Sequence, residues 1–229
     1  MESISSRIES TLKQTFSEYD YVVLDYKFLI KPKKANEELR DFWGGYKVEF
    51  KLIGKGEFDK FNRNIESARR NAIQIHTNNS PIFELEFSKH EHVEGNKDFE
   101  YEGFKIRIYT PEMIVFEKLR ALCQQLPDYS KIVPGFSPRA RARDFYDIHF
   151  LMEEFEIAPE KPENVKMLSD IFLAKKVPLK FISILRTSVE LHKENWTDVK
   201  TTVSSLQTIK DFDYYFEYVL SKFEKLTFP

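Results

Sequence analysis

FKIRIYTPEMIVFEKLRALCQQL, residues 104–126, is where the chain changes character. Phe104 to Tyr109 reads as a short strand. Thr110-Pro111-Glu112 then has the composition of a helix start: a hydroxyl to cap the first free amides, proline where no amide hydrogen is needed, and an acid for the positive end of the helix dipole. The helix that follows is expected to run to about Leu126, with Val115, Leu119, Leu122 and Leu126 as its apolar stripe. At about 100° per residue, Lys118 falls roughly 70° from the centre of that stripe, on its rim, whereas Glu117 and Arg120 point away. A lysine on the edge of a packed face is held by its aliphatic stem. It is either a snorkelling surface residue or a cation aimed into a neighbouring cleft.

Upstream of this point strands alternate with helices. Ile4, Ile8, Leu12 and Phe16 recur at helical spacing. Tyr19–Ile30 is rich in β-branched and aromatic residues, and Tyr46–Ile53 and Pro81–Ser88 alternate apolar with charged positions; all three read as strands. Pro32 opens a polar loop, and Glu57–Ile75 reads as mostly helical. Downstream the pattern is helical throughout. Pro127–Pro138 is a proline-rich loop, a helix covers roughly Arg141–Phe155, and three further helical stretches follow. The last, about Asp211–Lys225, carries a broad aromatic face including Phe212, Phe216 and Phe223, which is either core or a partner-docking surface. The expected fold is α+β: a mixed sheet with flanking helices over residues 1–110, followed by a helical bundle over 111–229.

Composition narrows the function. The net charge of −2, from 35 Lys+Arg against 37 Asp+Glu, excludes a uniformly basic nucleic-acid coat, so basic residues must cluster to matter. A single cysteine, Cys123, excludes an internal disulfide and a multi-cysteine zinc site, and reads as a small core residue. No GxGxxG or GxxxxGK[ST] string occurs. No signal sequence or membrane-length apolar run is evident, and a cytoplasmic location is expected.

The second informative stretch is RARDFYDIHFL, residues 141–151. Asp144, Ile148, Leu151 and Phe155 share one helical spacing, so an aspartate tops an apolar stripe, with Asp147 one turn on. Carboxylates in such places need a partner: the helix dipole with an arginine or Lys118, or a polar cleft. Arg139, Arg141 and Arg143 lie just before the helix and suit a phosphate or a solvated edge. His90-Glu91-His92 places two histidines on one side of a strand, either a zinc half-site or a loop edge.

Together, IYTPEMIVFEKLRALCQQ (108–125) and RARDFYDIHFL resemble the AbiEii/AbiGii toxin family of nucleotidyltransferases, with its EKLxA-type helix followed by an RDxxD helix. GGYKVEFKLI (44–53) and IFELEFSKHE (82–91) resemble the family's strands more loosely, and the similarity spans roughly residues 42–151. The resemblance implies a DNA-polymerase-beta-like nucleotidyltransferase domain joined to helices, acting as a toxin of abortive-infection or toxin–antitoxin type. It implies Lys118, Asp144 and Glu86 as catalytic residues, and Lys118, Arg139, Arg141, Arg143 and Asp147 as nucleotide contacts, in a cleft between the two domains. It also implies Glu86 as a ligand of Mg²⁺, aided by Glu84 or Glu49. The partners it implies are a nucleoside triphosphate, a tRNA or other RNA acceptor, and a cognate antitoxin, with no membrane.

The family's glycine pair opening a helix, followed by an Asp-x-Asp strand, has no counterpart before the matched region. Gly44-Gly45 is separated from Glu57-Phe58-Asp59 by a strand, Asp211-Phe212-Asp213 opens the last helix without glycines, and Asp20 and Asp25 are too far apart. The first helix is therefore expected to begin after that element, leaving a non-catalytic binding module as the alternative reading.

Overall fold

The computed structural model describes residues 3–32, 37–75, 79–203 and 208–228. They divide into two compact units, Met1–His90 and Glu91–Pro229. The architecture is α+β, with small antiparallel sheets and flanking helices.

In the first unit, helix α1 (Ile4–Glu18) is followed by strand β1 (Tyr21–Lys31), the short helix α2 (Glu37–Arg40) and β2 (Gly45–Gly54). Helices α3 (Lys55–Lys60) and α4 (Ile65–Arg70) precede β3 (Phe83–Ser88). The expected single helical stretch after Glu57 is thus two short helices, because Asn62 and Arg63 take positive φ values of 50° and 58° and end the first one. The three strands pair antiparallel in the order β1-β2-β3. Strand alternation sorts the residues. Val23, Val48, Phe50 and Leu52 pack under Ile8, Leu12 and Phe16 of α1. On the opposite face Leu24 and Ile53 pack against Ala68 of α4. Ile4, the first member of the α1 stripe, stays 54% exposed.

That opposite face turns charged along the strands. A register shift between Leu24 and Lys27 marks a bulge, with Asp25 at φ 52°. Asp25 is bound by Lys51 at 2.9 Å and Arg69 at 2.7 Å. Burial works to raise its pKa, but these two cations outweigh it and hold the carboxyl below its ordinary value.

The second unit opens with a hairpin, β4 (Lys97–Tyr101) and β5 (Phe104–Ile108). β4 is absent from the sequence expectation. It is five residues long and only two apolar residues, Phe99 and Tyr101, mark its alternation, against three in β5. The two-residue turn Glu102-Gly103, both at positive φ, is the signal that would have found it.

Helix α5 (Pro111–Cys123) starts as expected, with the Thr110 hydroxyl accepting the Met113 amide at 3.3 Å. Thr110→Ala should cost about 1 kcal/mol, read as a lowered midpoint in thermal unfolding, because the cap amide is buried and finds no substitute acceptor. The α5 helix is buried on most of its circumference, Met113, Val115, Phe116, Leu119, Leu122 and Cys123 included. Glu117 and Arg120 therefore do not point to solvent: they are 15% and 11% exposed and pair with each other at 2.7 Å.

Helices α6 (Ala142–Glu154) and α7 (Pro162–Ala174) pack on α5. Among the described residues four more follow: α8 (Phe181–Ile184), α9 (Val189–Lys193), α10 (Trp196–Thr202) and α11 (Phe212–Phe223). The proline-rich connection before α6 contains a 3₁₀ turn, Pro127–Lys131, whose Tyr129 is fully buried and donates to the Lys175 carbonyl at 2.7 Å. The aromatic face of α11 is core, since Phe212, Phe216 and Phe223 are each at most 2% exposed. No described helix is long and apolar enough to cross a membrane.

Candidate functional site

The N-terminal turns of α6 gather the charged residues of the second unit. Asp144 is buried, at 7% side-chain exposure, and Asp147 is 23% exposed. Lys118 reaches across from α5, placing Nζ 2.9 Å from Asp144 Oδ1 and 2.8 Å from Asp147 Oδ2. Each carboxylate has a second cation: the Arg141 guanidinium donates to Asp144, and Arg143 Nε lies 2.9 Å from Asp147. Arg143 also donates to the Thr202 hydroxyl at 2.8 Å. Burial works to lower the pKa of Lys118, but the charge of Asp144 and the hydrogen bonds to Asp147 and Asp144 outweigh it, so its pKa is raised. The ammonium is firmly protonated at neutral pH.

The N-terminus of α6 is held from a distant part of the chain. The Arg141 amide donates to His192 Nδ1 at 3.2 Å, and the Ala142 amide to Asn195 Oδ1 at 3.1 Å. These side chains stand where a local Ser, Thr, Asn or Asp would normally cap the helix. His192 is fully buried, and burial pushes its pKa down to about 4 despite the attraction of Asp144. Neither residue is marked in the sequence by local spacing.

Beside Lys118 lies a hollow of about 350 Å³. Lys118, Arg143, Asp147 and Thr202 supply its polar lining; Tyr146, Phe150, Leu151 and Val203 supply the apolar part. The stripe expected on α6 is shifted accordingly. Phe145, Ile148 and Met152 face the core, Leu151 lines the hollow, and Phe155 is 53% exposed just past the helix end.

Arg139 is exposed, and its backbone amide donates to Gln125 Oε1 at 2.9 Å. Glu86 belongs to the first unit, on β3, 68% exposed and 3.2 Å from Lys31 Nζ. Glu84 and Glu49 both bind Lys47. Among the described residues no group of three His, Cys, Asp or Glu side chains could hold a metal. His90-Glu91-His92 lies past the end of β3 and is not a strand. Glu49, Glu84 and Glu86 thus each face a lysine. Asp211 and Asp213, at the start of α11, are likewise committed to Lys200 and Lys193.

A second buried polar group lies against α5. The Tyr109 hydroxyl donates to Glu91 at 2.9 Å, and Lys175 is 8% exposed. Burial, followed by the like charge of Arg120, lowers the pKa of Lys175.

The second unit thus holds a lysine fixed between two aspartates of one helix, beside a hollow lined by polar, aromatic and aliphatic side chains. Residues 5–218 match the family described as nucleotidyl transferase AbiEii toxin, type IV toxin–antitoxin system. The chain belongs to the AbiEii family of nucleotidyltransferase-like toxins. No curated protein and no solved structure matches it.

Proposed function

We propose that the hollow beside Lys118 binds a nucleoside triphosphate, whose nucleotidyl group is passed to an RNA acceptor. One observation carries the reading. Arg141 already serves Asp144 and Arg143 already serves Asp147, so Lys118 is a third cation over two carboxylates and the cluster keeps a net positive charge. Neutralising the two aspartates does not require Lys118; attracting an anion does. The aromatic residues of the hollow, Tyr146 and Phe150, offer a wall for the base.

Transfer would break the bond between the α-phosphorus and the oxygen bridging it to the β-phosphorus, form a bond from an acceptor hydroxyl oxygen to that phosphorus, and release pyrophosphate, with the hydroxyl proton passing to solvent. The protein's part is to orient the triphosphate and stabilise the charge that develops on it. Lys118 and Arg143 supply that charge. A second reading, binding without transfer, is favoured by Glu49, Glu84 and Glu86 all being engaged by lysines. A cognate antitoxin belongs to the same proposal, on the strength of the family's type IV assignment.

Lys118→Ala should weaken nucleoside triphosphate binding about tenfold or more, the worth of a hydrogen bond to a charged group. Calorimetry measures this, and the protein should remain folded because each aspartate keeps an arginine. Unchanged affinity would remove the hollow from consideration. Incubation with labelled nucleoside triphosphates, Mg²⁺ and total tRNA separates the two readings: label in RNA supports transfer, and binding without labelled RNA supports the second.

A further inference from the structure

The first unit contains its own cationic hollow, at the end of the sheet where β1 runs into β2 through α2. It measures about 350 Å³ and brings together Lys31, Arg40, Trp43, Gly44, Tyr46 and Lys89. Three elements supply its cations: Lys31 ends β1, Arg40 ends α2, and Lys89 follows β3. Lys31 is shared with Glu86 at 3.2 Å. Among the described residues Arg40 and Lys89 have no acidic partner, and no carboxylate lines the hollow. This is a local concentration of positive charge in a chain whose net charge is −2.

The two glycines bring backbone to the floor of this hollow. Gly44 sits at φ +130°, and a Cβ there would lie 2.7 Å from the Lys31 carbonyl oxygen. A Cβ on Gly45 would lie 2.2 Å from the Phe87 carbonyl oxygen, so no larger residue fits without moving the strands. Lys89 is tied to the same place by its amide, which donates to the Gly44 carbonyl at 3.1 Å. The hollow is therefore built on paired backbone rather than on loose side chains alone.

Cations combined with aromatic rings in one concavity are what a nucleotide needs: charge for the phosphate and a π-face for the base. The volume, at the low end for ligand sites, is enough for one nucleotide unit. We propose that this hollow seats one nucleotide of a single-stranded RNA, with its phosphate against Lys31, Arg40 and Lys89 and its base against Trp43. The inference deepens the functional reading above by supplying a site for the acceptor strand, and rests on it only for the choice of RNA.

The test is fluorescence anisotropy of the full chain with a labelled single-stranded oligoribonucleotide, without triphosphate, across a salt series. The double variant Arg40→Ala/Lys89→Ala should bind about tenfold or more weakly at low salt, and its salt slope should be shallower by about 0.7, the contribution of the one phosphate no longer neutralised. Lys13→Ala/Lys60→Ala removes the same charge elsewhere in the unit and should leave both quantities unchanged. Trp43→Ala should weaken binding without altering the salt slope, and Trp43→Phe should restore most of it. Equal affinities for the two double variants would overturn the proposal. A free mononucleotide binding as tightly as the oligonucleotide would overturn the strand assignment. Triphosphate binding beside Lys118, read by calorimetry, should be untouched by Arg40→Ala/Lys89→Ala, so either site can fail alone.

Discussion

Phe145→Ala should destabilise the helical unit by about 3–5 kcal/mol, the usual cost of truncating a fully buried phenylalanine. Phe145 has no exposed surface and sits where α6, α9 and α11 meet. Its ring centroid is 5.1 Å from that of Phe216, 5.3 Å from Phe212 and 5.2 Å from the His192 imidazole. Removing the ring leaves a cavity whose walls belong to three different helices, so collapse into it is difficult. Domain stabilities of about 5–15 kcal/mol make this a large fraction of the total. Denaturant unfolding measures it, and a loss under about 1 kcal/mol would contradict the packing described. Because α6 also carries Asp144 and Asp147, triphosphate binding should weaken in the same variant, whereas Phe145→Leu should lose far less of either.

The second large effect is acid sensitivity centred on His192. Its imidazole is neutral in the folded protein, accepting the Arg141 amide, and burial holds its pKa at about 4. In the unfolded chain it titrates near 6.5. Between those values the unfolded state binds a proton that the folded state refuses, so stability is complete above about pH 6.5 and falls as the pH drops toward 4. A difference of about 2.5 units corresponds to about 3 kcal/mol. Asp144 attracts a proton onto the ring while Arg141 repels it, and burial dominates both. His192→Asn retains an acceptor for the Arg141 amide but does not titrate. Its stability should therefore be flatter over that window, measured as chemical denaturation at several pH values. Parallel pH profiles for the two proteins would refute the assignment.

The acid response also touches the site. Below pH 4 a protonated His192 no longer accepts the Arg141 amide, and the first turn of α6 loses part of its cap. That turn sets Asp144 and Arg141 against Lys118. The cap is supplied by residues 51 and 53 positions further along the chain, which makes the charged cluster dependent on the packing of α9.

Local chemistry was enough to place much of this molecule. Thr110-Pro111 starts a helix in isolation for the same reasons it does so in the fold: the hydroxyl reaches the third amide and proline has no amide hydrogen to leave unpaired. The stripe of α1 and the alternation in β2 and β3 are legible because each follows the period of its own element. The EKLRA and RDFYD stretches marked the family and pointed to Lys118, Asp144 and Asp147. The hairpin strand β4 escaped because it is five residues long and only Phe99 and Tyr101 mark its alternation.

Tertiary structure alone decided what the charged residues do. Helical phase put Lys118 on a rim but could not choose between solvent and cleft, since its partners lie on another helix, 26 and 29 residues away. Glu117 and Arg120 looked outward by the same phase and are instead enclosed, because α5 is packed on most of its sides. Arg40 and Lys89 are ordinary polar positions in sequence and meet only because the antiparallel register brings Gly45 opposite Ser88. Periodicity and capping act over one or two turns and so are written locally. Charge pairing and concavity arise between elements distant in sequence, and they exist only once the apolar faces have chosen their partners.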